Sequence, residues 1–289
     1  MRDNTTIMSL ILDIAKNDTR IRAVFQTGSR VNPLSSRDAM MDYDIIYCVR
    51  EVEDFIADDH FLEPMGEAIM IHRPDSLKTL GRVPSDTYTY NCLFLDGIRV
   101  DFTFYPVEKI STLITTETLL MLLMDKDNLI QQLPVSSDVG YRTSRPTKNE
   151  FEEATGEFFY CVIEFVKYLV RQEEVAAFEA YQDTMDMLNR MTSWYAANEK
   201  DYKINVGKHH RYLVKNLDAE YIQMYRKSFP SLNITAFWQS LLTAMTLYRK
   251  LGLILADRLG YTYPKQLDVR VNAYIRSLWA QAQKTLESQ

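Results

Sequence analysis

The chain has 289 residues, 46% of them hydrophobic, with 33 Lys plus Arg against 39 Asp plus Glu for a net charge of −6. That length and apolar content exclude an intrinsically disordered chain and suit one large or two ordinary folded domains, of which two are expected. The acidic balance, with no long basic run to follow a phosphate backbone, argues against a nucleic-acid partner and suits a cationic small molecule.

Residues 5–16 place Ile7, Met8, Leu10, Ile11, Ile14 and Ala15 at helical spacing, and the polar Asn17 and Asp18 stop the pattern, which predicts a first helix. Residues 20–27 are partly alternating and β-branched and break at Gly28, as a strand entering a tight turn does. A polar stretch with Pro33 then leads into residues 42–49, a second strand rich in β-formers, and residues 69–72 read as a short third one. Residues 90–95 and 98–105 flank Asp96-Gly97, which predicts an antiparallel hairpin closed by a type I′ turn, because glycine tolerates the positive φ such a turn needs.

From about residue 110 the period changes from two to 3.6, and helices are expected in place of strands. Phe151, Ala154, Phe158, Val162, Phe165, Val166 and Leu169 form one apolar stripe, and Met185, Leu188, Met191 and Tyr195 form another. A third helix over 236–259 should end at Gly260, with Pro264 beyond it as a stop. The polar segment 135–148, with Gly140 and Pro146, is the expected boundary, giving domains over 1–140 and 141–289. The fold class is therefore α+β: a mixed β-sheet flanked by helices, followed by an all-α helical bundle. Cys48, Cys92 and Cys161 are odd in number and far apart, which points away from a disulfide framework or a close-spaced zinc motif and toward a reducing cytoplasm. Residues 251–256, an apolar run late in the chain, are too few to span a bilayer, so no membrane partner is expected.

Asp42 and Asp44 lie two apart in a strand, so both carboxylates project from one face and repel unless a cation lies between them. Mg2+ answers that need, since it prefers oxygen ligands and is commonly held by one or two carboxylates together with substrate phosphates. The spacing alone is weak, because Asp125-Lys126-Asp127 repeats it. What sets Asp42 apart is Gly28-Ser29 at the end of the preceding strand, where a backbone without a Cβ and a hydroxyl suit a phosphate, although an ordinary turn looks the same. Asp101 alternates against Val100 and Phe102 and faces away from the apolar side; on a neighbouring strand it would bring a third carboxylate, and alone it is a solvated edge residue.

Gly28-Ser29-Arg30-Val31-Asn32, Asp42-Tyr43-Asp44-Ile45, Asp96-Gly97 followed by Arg99-Val100-Asp101-Phe102-Thr103, Leu123-Met124-Asp125-Lys126-Asp127, Arg145-Pro146-Thr147 and Gly207-Lys208 together resemble the aminoglycoside 6-adenylyltransferases of the DNA polymerase beta-like nucleotidyltransferase superfamily, in order over nearly the full chain. The resemblance implies a nucleotidyltransferase domain, a helical domain closing over the substrate, ATP as co-substrate with Mg2+, and AMP transfer to a streptomycin-like aminoglycoside with loss of pyrophosphate. It implies that Asp42 and Asp44 bind metal, that Asp101 binds metal or acts as base, and that Gly28 and Ser29 hold the triphosphate. Arg30 would add charge there or form a salt bridge, and Lys208 would reach the phosphates. For the acceptor, Glu153, Glu157, Tyr160 and Glu164 form an i, i+4 stripe suited to guanidinium or ammonium groups, with a solvated face as the plainer reading. Trp194 and Tyr195 would stack on the substrate or belong to the core, and His209-His210 reads as a surface pair. A monomer is expected, with a dimer as the alternative.

Overall fold

A computed structural model describes residues 2–56, 58–77 and 86–287. They divide into two compact units, Met1–Gly140 and Tyr141–Gln289. The first begins with α1 (Asn4–Asn17), whose free N-terminal amides are capped by Asp3 accepting from the Thr6 N–H at 2.8 Å. Helix α1 buries Ile7, Ile11, Ile14 and Ala15 of the positions that its periodicity marks, and leaves Met8 and Leu10 half-buried.

Strands β1 (Ile21–Thr27), β2 (Tyr43–Val49), β3 (Ala68–His72), β4 (Tyr88–Phe94), β5 (Arg99–Pro106) and β6 (Leu120–Asp125) form one sheet in the order β3-β4-β5-β2-β1-β6. It is mixed: β2 and β5 run parallel, and the other neighbours antiparallel. Because side chains alternate across a strand, β2 and β5 send Tyr43, Ile45, Tyr47, Val100, Phe102 and Phe104 into one core with α1. There Tyr47 stacks on Phe102 at 5.4 Å and Phe55 on Phe104 at 4.1 Å, and the Tyr47 hydroxyl donates to the Ile11 carbonyl at 2.8 Å. On the other face Ala23, Phe25, Ile46 and Cys48 pack with Ile110 and Leu113 of α2 (Ile110–Thr116).

Two expectations change. The segment after residue 110 returns to the sheet as β6, pairing antiparallel with β1; its run of Leu and Met shows no alternation, and pairing overrides the helix propensity of those residues. The β4–β5 connection is not a type I′ turn: Gly97 alone of the central pair has positive φ, at 82°, and Phe94 N–H donates to the Ile98 carbonyl, leaving a three-residue loop with glycine at its left-handed position.

The second unit is helical, with α3 (Lys148–Val170), α4 (Glu174–Asn198), α5 (Ala219–Lys227), α6 (Ile234–Leu259) and α7 (Lys265–Glu287) around one core. Thr147 and Glu150 make a reciprocal capping box at the start of α3, and α6 ends at Gly260 with φ of 73°. Phe158 stacks on Tyr248 at 3.7 Å, and the Tyr248 hydroxyl donates to the Ala154 carbonyl, joining α3 to α6. Among the described residues no helix is long and apolar enough to cross a membrane.

Arg2 ties the chain start to the β4–β5 loop, its Nε donating to Asp96 at 2.7 Å and its Nη1 to the Met65 carbonyl at 2.6 Å. The guanidinium holds the Asp96 carboxyl well below its usual 3.8, so its contribution is present above about pH 4 and is lost as pH falls toward the lowered value. Arg2→Ala is expected to cost about 1 kcal/mol at neutral pH, a loss that thermal melts should show shrinking steadily below about pH 4.

Candidate active site

Parallel pairing of β2 with β5 puts Asp44 directly opposite Asp101, on the sheet face away from the aromatic core. Partners in register on neighbouring strands have Cβ atoms about 5 Å apart, so the two carboxylates share one small region. Asp42, two residues before Asp44, projects from the same side, and three negative charges converge from separate places in the sequence. The two strands present these charges safely because their alternate side chains are locked in the core beneath.

Their electrostatics follow from that crowding. Burial, then Asp101 and Asp42, push the Asp44 carboxyl up to about 6, and burial also raises Asp42 against the opposing pull of Arg99. Arg99 is the counter-charge: its Nη2 lies 2.9 Å from Asp101, and its Nη1 lies 3.4 Å from Asp42. Among the described residues no three His, Cys, Asp or Glu side chains stand ready to hold a metal ion, and Asp42 and Asp101 both face this guanidinium. The donor set still fits Mg2+, since it consists of hard carboxylate oxygens whose mutual repulsion a divalent cation relieves. The three aspartates together with substrate phosphates would supply the ligands.

Gly28 follows β1, the strand on the other side of β2, and Thr27 pairs with Asp44. Its φ of 73° is left-handed, and a Cβ there would come within 2.9 Å of the Asp44 Cγ and closer still to Oδ2. Glycine therefore lets the turn Gly28–Arg30 close directly against the carboxylate. Ser29 lies in that turn beside the cluster, where Gly28 and Ser29 suit a phosphate.

Arg30 has a different setting from the one expected. Its Nε donates to the Asp42 carbonyl at 2.9 Å and its Nη2 to the Met41 carbonyl at 2.8 Å, while its Cζ lies 3.5 Å from the centre of the Tyr43 ring. Those donors are taken up by the backbone that carries Asp42, so Arg30 braces the entry to β2, and among the described residues it makes no carboxylate ion pair. The second Asp-x-Asp is likewise explained: Asp127 pairs with Arg22, and Asp125 accepts from the Ile130 N–H at 2.9 Å, closing the turn after β6.

The remaining candidates belong to the helical unit. Glu153 and Glu157 are exposed on α3, with Tyr160 beside them and Glu164 paired to Lys167. Trp194 is only 7% exposed and packs in the core, with the Arg190 guanidinium 6.0 Å over its ring; it presents no open face for stacking, because α4 turns it inward. Tyr195 is buried too, its hydroxyl donating to Asp218 at 2.8 Å. Lys208 is exposed and follows Gly207, whose φ is 75°; His209 is exposed and His210 half-buried, both with left-handed φ.

Arg99 was not singled out by sequence, although it sits two residues before Asp101 and alternation alone puts it on the same face. Asn91 and His72 continue the same row of the sheet. They pair in register beyond Asp101, and nothing local in strands β3 and β4 marks them.

The family described as streptomycin adenylyltransferase matches residues 1–278. An aminoglycoside 6-adenylyltransferase of Bacillus subtilis (strain 168) is 30% identical over 281 residues, covering 96% of this chain and 99% of that protein. One of Campylobacter jejuni is 29% identical over 276 residues, covering 95% of each. A crystal structure of an aminoglycoside 6-adenyltransferase from Bacillus subtilis, 28% identical, aligns over 96% of this chain and 99% of that one with a TM-score of 0.48.

Gly28→Ala is expected to push the Asp44 carboxylate aside and to lower turnover about a hundredfold, with a folded variant verified by circular dichroism. For Asp44 the folded chain keeps its proton to higher pH than the unfolded chain, so stability falls as pH rises from 3.8 to about 6 and then levels. In buffer free of divalent cations, Asp44→Asn should therefore match the unmutated protein near pH 4 and exceed it by roughly 1–3 kcal/mol above pH 7, read as a difference in denaturation midpoints.

Proposed function

The chain belongs to the streptomycin adenylyltransferase family, and from that membership we propose that it transfers AMP from ATP to a hydroxyl of a streptomycin-like aminoglycoside, with Mg2+ as the metal and pyrophosphate as the leaving group. The observation that carries the reading is the register match of Asp44 with Asp101, with Asp42 on the same face and Gly28 closed against Asp44. Three carboxylates beside a tight glycine turn supply what a metal–triphosphate needs.

Asp42, Asp44 and Asp101 would hold the metal, which when bound neutralises charge on the phosphates and on the group that departs. Gly28 and Ser29 take the triphosphate, where the missing Cβ allows close approach of the chain. Asp101, on the flank of the cluster away from Gly28, accepts the proton of the attacking hydroxyl. The hydroxyl oxygen forms a bond to the α-phosphorus, the bond from that phosphorus to the bridging oxygen breaks, and pyrophosphate leaves with the electron pair. Arg30 keeps the Asp42 backbone fixed while the charges change. Little covalent work falls to the protein; positioning and electrostatic stabilisation do most of it.

Net charge and exposed carboxylates support a cationic acceptor. The surplus of acidic over basic residues attracts a polycation, and Glu153 and Glu157 on α3 offer carboxylates to guanidinium or ammonium groups. Lys208, an exposed ammonium, suits a phosphate as its partner.

With protein, Mg2+ and ATP, addition of streptomycin is expected to release pyrophosphate and yield a drug heavier by one AMP in mass spectrometry. Asp42→Asn should lower that rate at least about a hundredfold. Release that is independent of every aminoglycoside offered would overturn the reading of the acceptor.

A further inference from the structure

A single polar row crosses five strands of the first unit. Thr27 of β1 pairs with Asp44 of β2, Asp44 with Asp101 of β5, Asp101 with Asn91 of β4, and Asn91 with His72 of β3. Residues in register share a face, so all five project from the side opposite the aromatic core. At about 4.8 Å per strand, His72 lies roughly 10 Å beyond Asp101. Asn91 and His72 are half-buried, and His72 Nδ1 lies 3.4 Å from Asn91 Oδ1. With Nδ1–H donating to that oxygen, the ring keeps Nε2 as an acceptor and Asn91 keeps its amide N–H groups as donors.

The row has a direction. Gly28, next to Thr27, closes against Asp44 from the β1 side, and with Ser29 it is the triphosphate end of the proposed site. Phosphoryl and nucleotidyl displacements run in line, with the entering and departing oxygens on opposite sides of the phosphorus. If pyrophosphate departs over β1, the acceptor hydroxyl must enter over β5 and β4. Among the described groups on that side are Asn91 and His72, a donor and an acceptor spaced across about one sugar or cyclitol ring. Among the described residues no ion pair involves either of them, so they suit neutral hydroxyls and leave the cationic groups of the acceptor to carboxylates.

We propose that Asn91 and His72 form the acceptor-side subsite of the sheet, hydrogen-bonding hydroxyls of the ring that carries the attacking oxygen and aligning it beside Asp101. The subsite rests on the adenylyl-transfer reading and goes beyond it, by assigning residues and a side of entry to the acceptor. Neither residue takes part in bond making; each sets where the attacking hydroxyl sits.

The test is steady-state kinetics of Asn91→Ala, His72→Ala and His72→Gln with streptomycin and Mg2+–ATP, with ATP affinity measured separately by calorimetry. Each alanine variant is expected to raise KM for the drug about fivefold to tenfold, while ATP affinity stays within about twofold of the unmutated value. His72→Gln should recover much of the drug binding that His72→Ala loses, because its amide offers an acceptor at similar reach. Folded, active variants with an unchanged drug KM, or with ATP affinity weakened as much as drug KM, would overturn the subsite and leave the adenylyl-transfer reading standing. Absence of drug-dependent pyrophosphate release from the unmutated protein would overturn that reading, and the subsite with it.

Discussion

Two strands that run parallel hold Asp44 opposite Asp101, and the repulsion this creates governs the first unit. Like charges about 5 Å apart in a partly buried place are costly, and they persist only where the surroundings hold them there. The hold comes from below. Tyr43, Ile45, Tyr47, Val100, Phe102 and Phe104 alternate with the site residues along the same two strands and are almost completely buried. Separating the carboxylates would require pulling that aromatic layer apart, which costs far more than the repulsion it would relieve.

Around this constraint the neighbouring residues divide the work. Arg99 lies between Asp42 and Asp101 and supplies the positive charge that the cluster lacks by itself. Arg30 acts on the chain and leaves the carboxylates alone: its donors go to the Met41 and Asp42 carbonyls and its plane lies on Tyr43, which fixes the entry to β2. Gly28 contributes by what it lacks, since the space a side chain would fill is taken by the Asp44 carboxylate. The two arginines illustrate a general point about charge near a carboxylate cluster. One that pairs with the carboxylates offsets their repulsion, whereas one that pairs with backbone carbonyls fixes the chain and leaves their charge in place.

Local periodicity made much of this readable from sequence. Helix α1, strand β5 and helix α3 carry a period of 3.6 or two that burial then follows, while β1 and β2, buried on both faces, were legible as short β-rich runs. Strand β6 escaped, because an unbroken run of Leu and Met has no period and only pairing with β1 decides its state. The candidate site was legible as far as its aspartates, but what distinguishes Asp42 and Asp44 from Asp125 and Asp127 is the company each keeps in space. Asp127 is neutralised by Arg22 at the end of β6, while Asp44 meets a third carboxylate from 57 residues further along the chain. Arg99 follows from alternation once Asp101 is accepted. Asn91 and His72 do not, since strand register across β3, β4 and β5 is a long-range property.

Strand register also gives the chemistry an axis. A nucleotidyl transfer has to keep entering and departing groups in line, and a flexible site would need many contacts to impose that order. On the line proposed for this site the sheet supplies that order, because the carboxylates sit on the middle strands, the glycine turn lies on one flank and polar side chains lie on the other. The spacing between strands, which backbone hydrogen bonds fix within a few tenths of an ångström, is close to the size of one phosphate or one sugar ring. A sheet edge-to-edge ruler of this kind holds distance and direction without any residue being devoted to either. The side chains are then free to differ in what they touch while their spacing stays where β2 and β5 set it.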